Sequence, residues 1–165
     1  MSGLVYTRVE SPIGALLLSG DGHVLRGLHM QLGRRPVAVQ PDWTEARDAF
    51  GEVRAQLADY FAGQRTGFDV PLELEGTPFQ REVWEALTEI PYGDTISYGE
   101  LARRIERPRA VRAVGLANGR NPIAVIVPCH RVIGADGTLT GYGGGLDRKR
   151  LLLDLEARRL APAMF

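Results

Sequence analysis

The chain has 165 residues and 20 acidic and 20 basic side chains, so its formal net charge is zero. This length suits one large domain or two small ones, and the composition is that of an ordinary globular protein. A single cysteine excludes an internal disulfide, and with three dispersed histidines it matches no zinc-ligand spacing. Without a signal peptide or an apolar run long enough to cross a bilayer, we expect a cytoplasmic protein that does not enter membranes.

The charges are unevenly distributed along the chain. Residues 1–96 carry 8 basic and 14 acidic side chains, whereas residues 97–165 carry 12 basic and 6 acidic ones. Such asymmetry indicates a polyanionic partner for the second half, although attraction between the two halves would also account for it.

The first part of the chain is predicted to form a small antiparallel sheet followed by a helix. Strand-like segments occupy residues 4–9, 13–19 and 24–30. An Asp-Gly pair at 21–22 suits the positive-φ positions of a hairpin turn between the second and third strands. A helix is expected to begin at Asp42 or Thr44 and to end near residue 61, because apolar residues recur there at helical spacing.

The second part of the chain begins with a helix signal at Thr77. Thr77 and Gln80 can form a capping box around Pro78, and the apolar stripe that follows is typical of a core-facing helix. Residues 70–75 before it alternate in character and are expected to be a strand or an extended linker. The predicted domains are therefore 1–76 and 77–165.

Two short helices joined by a tight turn are predicted next, as in a helix-turn-helix. Ser97 and Glu100 can form a capping box for the first helix, and Pro108 is expected to begin a second helix that runs to about Asn118. The second helix is rich in small residues around one long side chain, Arg112. This composition favours shape reading in a narrow groove over a base code, although packing between helices would explain the small residues equally well.

The lone cysteine, Cys129, follows an apolar run over residues 123–127 that indicates a buried strand. Pro128 stiffens the chain before it, and His130 comes directly after it. A rigidly held thiol beside an imidazole is a candidate nucleophile, but a lone cysteine is just as often a small core residue. Neighbours in a strand point to opposite faces, so the thiol and the imidazole can communicate only through a turn at Pro128 or a bridging water.

A glycine-rich loop over residues 141–145 precedes the last helix, which opens near Asp147. The loop lacks the Lys-Ser/Thr ending of a phosphate-binding loop, so we do not expect nucleotide binding. Glycines there allow backbone N–H groups to approach a ligand closely.

Several of these motifs, in this order, resemble those of the O6-alkylguanine-DNA alkyltransferases. They are Ser97-Tyr98, Arg112, Asn121-Pro122, the run Pro128-Cys129-His130-Arg131-Val132, Gly141-Tyr142 and the segment from Lys149 to Glu156. The resemblance implies an α/β (α+β) fold. A ribonuclease-H-like antiparallel sheet with a helix would come first, followed by a mostly helical DNA-binding domain with a helix-turn-helix.

The resemblance also implies catalytic roles. Cys129 would accept the alkyl group, His130 would take the thiol proton through a bound water, and Glu156 would orient His130. Tyr98 would donate to the guanine ring and press on the 3′ phosphate so that the nucleotide rotates out. Asn121 would brace the turn before the active-site segment.

DNA and substrate contacts follow from the same resemblance. Arg112 would fill the vacated stack, and the helix around it would contribute Ala110, Ala113, Gly115, Ala117 and Asn118. The guanine would meet Val132, Tyr142, Gly143, Gly144 and Lys149. Gly143 replaces a serine found in relatives, which suggests room for alkyl groups larger than methyl.

The expected function is repair of double-stranded DNA containing O6-alkylguanine. The alkyl group would be transferred irreversibly to the protein itself, in a single turnover that needs no cofactor and no metal. The protein is expected to act as a monomer, with several copies able to bind along one DNA. Two alternatives remain: a cysteine hydrolase, whose histidine usually lies far along the chain, and a non-catalytic module that recognises alkylated DNA and would need no thiol.

Overall fold

A four-stranded sheet forms the N-terminal part of the computed structural model, which describes residues 4–31, 37–139 and 145–160. Strands β1 (Val5–Val9), β2 (Leu16–Gly20) and β3 (Leu25–Met30) are antiparallel, and β4 (Thr44–Glu45) pairs parallel with β1. The order across the sheet is β3-β2-β1-β4. The three predicted strands are confirmed, and β4 is an addition that the sequence did not indicate.

Helix α1 (Gly51–Phe61) begins later than predicted. The prediction that Asp42 or Thr44 caps this helix is wrong, because Thr44 lies in β4 and its N–H donates to Leu4 O at 2.8 Å. Phe50 precedes the helix with a left-handed φ of 57°, and its side chain is buried. Sheet pairing and burial of Phe50, both tertiary effects, therefore override the helical spacing of the sequence.

The second part of the chain contains four more α-helices in the described residues and a two-stranded parallel sheet. They are α2 (Pro78–Leu87), β5 (Ile96–Ser97), α3 (Tyr98–Arg104), α4 (Val111–Gly119), β6 (Val132–Ile133) and α5 (Leu146–Leu160). The capping box at Thr77 is confirmed: Gln80 N donates to Thr77 Oγ1 at 3.1 Å, and Thr77 N donates to Gln80 Oε1 at 3.0 Å. Ser97 caps α3 by accepting a hydrogen bond from Glu100 N at 3.0 Å.

The start of α4 also differs from the prediction. Pro108 is not the first helical residue, because the chain makes a turn there that is closed by a 2.9 Å hydrogen bond from Ala110 N to Arg107 O. Helix α4 begins at Val111, and Ala110 precedes it without a side-chain hydrogen bond. The two helices α3 and α4 nevertheless form the predicted helix-turn-helix.

Two segments of the chain attach to the outer edge of β3. Leu25 is bonded to residues 71–73 through two backbone hydrogen bonds of 2.9 Å. Residues 70–75, predicted as a strand or an extended linker, therefore form a single isolated β-bridge, between Leu25 and Leu72. Leu28 is bonded to residues 122–124 through backbone hydrogen bonds of 2.9 and 3.1 Å. The edge of the sheet thereby supports the segment that leads to Cys129.

Buried side chains from both parts of the chain form one continuous hydrophobic cluster. The hydrophobic core therefore does not divide at the predicted domain boundary at residue 76, and this boundary stays a prediction. Among the described helices, none has the length and apolar character needed to cross a membrane.

Trp84 on α2 holds the end of α4 in place. Its indole Nε1 donates to Ala117 O at 2.8 Å, and the side chain is 2% exposed. Trp84→Phe would leave a cavity and remove the indole hydrogen bond to Ala117 O, which would keep only its bond from Arg120 N. We therefore expect it to lower the free energy of unfolding by about 2–4 kcal/mol. Urea denaturation measures this, with Trp43→Phe on the partly exposed N-terminal surface as the matched control. Equal losses for the two variants would contradict the assignment.

Candidate active site

Cys129 begins a one-turn 3₁₀ helix, Cys129–Arg131, and the apolar run before it, residues 123–127, is not the strand that the sequence predicts. Pro128 has φ −83° and ψ 65°, and Cys129 N donates to Val127 O at 2.8 Å across it. Arg131 N then donates to Pro128 O at 3.0 Å. Pro128 therefore places Cys129 and His130 in a turn. The thiol-bearing residue is 6% exposed.

The segment before Pro128 is a tight loop held by Asn121. Asn121 Nδ2 donates to Val127 O at 2.7 Å, and Asn121 Oδ1 accepts from Ile123 N at 3.0 Å. Val125 in the middle of the loop has φ 71°, a conformation that β-branched residues rarely adopt. Such strain costs about 1–3 kcal/mol and persists only where surrounding contacts enforce it. Here the contacts are those of Asn121 and the edge of β3.

Glu156 on α5 is buried and accepts hydrogen bonds from three separate parts of the chain. His130 Nε2 lies 2.8 Å from Glu156 Oε2, and Arg131 bonds both carboxylate oxygens at 2.9 Å through Nε and Nη2. The hydroxyl of Tyr60 donates to Oε2 at 2.6 Å, and Gly93 N lies 3.4 Å from Oε1. The sequence resemblance pairs Glu156 with His130 but says nothing of Tyr60 or Arg131 as partners.

The signal for these missed partners is weak in the sequence. Arg131 belongs to the cysteine motif, but an arginine there is equally compatible with a surface position. Tyr60 falls in the apolar stripe of α1, where a phenol needs a hydrogen-bond partner once it is buried. Only the folded chain identifies that partner as Glu156.

The pKa values of this cluster follow from burial and pairing. Burial alone would raise the pKa of Glu156, but hydrogen bonds from His130 and Arg131 outweigh it and lower the pKa to about 2. Burial lowers the pKa of His130, and Glu156 offsets only part of that effect, so the neutral form of the imidazole is favoured. Burial and the neighbouring Glu156 raise the pKa of Tyr60, so its phenol remains a donor.

This pairing assigns the tautomer of His130. Because an ionised Glu156 can only accept, His130 Nε2 carries the proton that is shared with it. The other ring nitrogen, Nδ1, is buried and has no hydrogen-bond partner among the described residues. Nδ1 is therefore the atom of this imidazole that can take up a proton.

Lys149 on α5 is fully buried, which the sequence did not indicate. Its Nζ lies 5.9 Å from the centroid of the Tyr98 ring. Burial lowers the pKa of Lys149 to about 8, while the charge interaction with Cys129 acts in the opposite direction. An ammonium group beside a thiol stabilises the thiolate, so Lys149 can assist Cys129 electrostatically.

Tyr98 and Val132 are brought together by the small parallel sheet. Ile96 on β5 pairs with Val132 on β6, and Tyr98 follows β5 as the first residue of α3. Gly115 of α4 faces the Tyr98 ring, since a Cβ atom at that position would lie 3.8 Å from it. Val132, Tyr98 and helix α4, which carries Arg112, are therefore neighbours.

Helix α4 presents only part of its predicted binding face to the surface. Arg112 and Ala113 are exposed, and the apolar side chain of Leu116 is 66% exposed. Ala110 and Gly115 are half-buried. In contrast, Ala117 and Asn118 are buried, and Asn118 Nδ2 lies 3.4 Å from Cys129 O. The side chains of Ala117 and Asn118 thus face the protein interior, whereas the sequence places them among the DNA contacts.

Three of the expected substrate contacts, Tyr142, Gly143 and Gly144, lie outside the described residues. Over residues 4–31, 37–139 and 145–160, no group of three or more His, Cys, Asp or Glu side chains is arranged to hold a metal ion.

Comparisons with known proteins cover nearly the whole chain. Residues 4–74 match the family model described as "6-O-methylguanine DNA methyltransferase, ribonuclease-like domain", and residues 78–158 match the DNA-binding domain of the same name. A methylated-DNA–protein-cysteine methyltransferase from Mycobacterium tuberculosis is 58% identical over 158 residues, covering 96% of this chain and 94% of that protein. One from Methanosarcina acetivorans is 55% identical over 153 residues, covering 93% and 98%.

Solved structures of proteins with related names are similar to this chain in fold. The crystal structure of Mycobacterium tuberculosis OGT in complex with DNA has a TM-score of 0.89 and 57% identity, with 96% of each chain covered. The O6-methylguanine-DNA methyltransferase of Pyrococcus kodakaraensis has a TM-score of 0.61 and 26% identity, with 93% of this chain and 99% of that chain covered.

Removal of the Glu156 charge tests the electrostatics of this cluster. Glu156→Gln leaves Arg131 buried without its counterion, so we expect the free energy of unfolding at pH 7 to fall by about 3–5 kcal/mol. The pKa of Glu156 is depressed from 4.5 to about 2. Its stabilisation is therefore present above pH 4.5 and is lost as the pH falls towards 2.

Urea denaturation at a series of pH values measures this effect, with Glu52→Gln on the exposed face of α1 as the control. The stability difference between the wild type and Glu156→Gln should shrink below about pH 4.5. A difference that is constant from pH 7 to pH 2 would contradict the assignment.

Proposed function

The chain belongs to the 6-O-methylguanine DNA methyltransferase family, and from this premise we propose that it repairs O6-alkylguanine in double-stranded DNA by transferring the alkyl group to its own Cys129. The observation that carries the proposal is the buried hydrogen-bonded pair of Glu156 on α5 and His130, 2.8 Å apart, with His130 in the turn that holds Cys129. A carboxylate, an imidazole and a thiol in series form a nucleophile with a base and an orienting group.

DNA binding is assigned to α4 and the arginines around it. The helix exposes Arg112 between small residues, which allows close approach to the floor of a narrow groove. Its exposed Val111 and Leu116 suit contact with the apolar sugar walls of that groove. Phosphate contacts dominate such binding, so affinity should be largely independent of sequence and should weaken with salt.

The target base has to leave the duplex before the thiol can reach it. Extrusion of a nucleotide costs a few kcal/mol, and less for a damaged base that pairs poorly. Arg112 would offset part of this cost by filling the vacated stack, while Tyr98 would press on the 3′ phosphate. The half-buried Tyr98 lies against Gly115 of α4 and near Lys149, whose charge interacts with Cys129, which supports a role at the point where the base enters.

The chemical step is a substitution at the alkyl carbon. An ordinary thiol is mostly protonated at neutral pH, so His130 Nδ1 would take its proton through a bound water while Glu156 stabilises the imidazolium. The thiolate then forms an S–C bond as the C–O6 bond breaks, and the electron pair of that bond stays with guanine. Tyr98 would donate to the leaving guanine, and Lys149 would favour the thiolate before attack.

Recognition of guanine is assigned to the backbone around Cys129 and Val132 and to Tyr142, Gly143 and Gly144. Val132 is buried directly after the turn, so its backbone rather than its side chain would read the base. Asn121 would hold the loop that carries these groups.

The product is a thioether, and nothing in the proposed mechanism cleaves it. Each molecule would therefore act once, without a cofactor. The protein would work as a monomer in the cytoplasm, with several copies able to bind along one DNA.

Stoichiometric transfer to Cys129 is the first test. After incubation with excess O6-methylguanine duplex, we expect mass spectrometry to find one added methyl group per molecule, on Cys129, and no further reaction. Cys129→Ala should still bind the duplex but should transfer nothing. Repeated turnover, or hydrolysis of esters and peptides without DNA, would favour a hydrolase. Binding without any transfer by the wild type would favour a non-catalytic recognition module.

The role of Arg112 can be separated from general charge effects. We expect Arg112→Ala to slow methyl transfer from duplex DNA by about tenfold or more, because extrusion costs a few kcal/mol and the variant cannot fill the stack. Transfer from the free base O6-methylguanine should change little, since no extrusion is needed. Arg47→Ala, which removes an exposed arginine from the N-terminal part, is the control. Equal slowing with duplex and free base would refute the assignment.

A further inference from the structure

We propose that Tyr60, which belongs to the N-terminal part of the chain, is a positioning residue for alkyl transfer that acts on His130 through Glu156. The inference rests on the proposed function, because it assumes that His130 is the base for Cys129. It adds a contribution of α1 to a site otherwise built from the second half of the chain.

The geometry places Tyr60 on the same oxygen that serves the base. The Tyr60 hydroxyl donates to Glu156 Oε2 at 2.6 Å, and His130 Nε2 lies 2.8 Å from that same atom. Arg131 Nη2 is the third donor to it, at 2.9 Å. Any change in the charge or position of Oε2 therefore directly alters its hydrogen bond to the imidazole of His130.

The Tyr60 ring is held firmly enough to act in this way. It is fully buried, with ring centroids of Phe61, Phe68 and Tyr92 at 5.2, 5.3 and 6.1 Å. The contacts with Phe61 and Tyr92 are edge-to-face, the arrangement that aromatic pairs favour. The ring cannot turn away without opening the core, so the hydroxyl stays on Oε2.

The hydrogen bond from Tyr60 withdraws negative charge from Oε2. Without this hydrogen bond, the negative charge on Oε2 would increase. Arg131 would still keep Glu156 in place, because it bonds both carboxylate oxygens. The imidazolium form of His130 would then be stabilised, and its pKa would rise. A base must be neutral to accept a proton, so transfer would require a higher pH.

Other groups around the pair do not change when the Tyr60 hydroxyl is removed. Besides Tyr60, the charged side chains that act on His130 and Glu156 are Arg131 from the 3₁₀ turn and Lys149 from α5. Tyr92, from the loop after α2, acts on Tyr60, and Cys129 acts on Lys149. A shift in the pH profile of a Tyr60 variant would therefore report on its bond to Glu156.

Tyr60→Phe keeps the ring and removes only the hydroxyl. The experiment is single-turnover methyl transfer from an O6-methylguanine duplex, measured from pH 5 to pH 9 in the full-length protein. We expect the acidic midpoint of the rate profile to rise by about 1 unit, with a rate about tenfold lower on the acidic side and similar rates at high pH. Tyr6→Phe, which removes a hydroxyl from β1, should leave the profile unchanged.

A second measurement on the DNA-free protein keeps the two hypotheses separate. NMR titration of labelled histidine should show the pKa of His130 higher in Tyr60→Phe than in the wild type. A wild type that transfers no methyl group refutes the proposed function, whereas this titration still decides the role of Tyr60. If the wild type transfers its methyl group, a Tyr60→Phe profile with an unmoved midpoint overturns the positioning role. A uniform loss of rate at every pH, or a lower His130 pKa, overturns it equally.

Discussion

The buried carboxylate of Glu156 is the group on which both the fold and the site depend. An ionised side chain stays inside a protein only when its lost hydration is replaced by pairing and hydrogen bonds. The side-chain donors that replace it come from Tyr60, His130 and Arg131, which are 96, 26 and 25 residues away in sequence. The cluster is therefore complete only when α1, the 3₁₀ turn and α5 are all in place, so folding and assembly of the candidate base are one event.

The N-terminal sheet also supports the segment that carries Cys129. Its β3 edge is bonded to residues 122–124, immediately before Val125, which adopts a strained conformation. Asn121 closes the loop that contains Val125 from within. A nucleophile on such a support does not have to be ordered when substrate arrives, which is the general advantage of a preorganised site. The sheet thus contributes to chemistry although it carries no reactive group.

The proposed DNA surface and the thiol are joined through the interior. Helix α4 exposes Arg112 on one side, while Asn118 on the other side reaches the backbone of Cys129. Tyr98 lies against the same helix and also near Lys149. In the proposed reaction, α4 would enter the groove while the thiol of Cys129 attacks the base. The contacts between α4 and the Cys129 turn would keep these two parts at a fixed distance, so that an extruded nucleotide reaches the sulfur.

Local patterns in the sequence were sufficient for the three antiparallel strands, the capping box at Thr77 and the helix-turn-helix, because hairpin turns and caps depend on residues close together in the chain. The order of motifs also indicated the family and the Glu156–His130 pair. Only the tertiary structure decided that residues 123–127 form a loop, that α1 begins at Gly51 and that Asn118 faces inward. It also decided that Tyr60 belongs to the site and that Lys149, expected there from the sequence, is buried. These outcomes depend on backbone pairing and burial between segments that are distant in sequence, and no local pattern encodes such contacts.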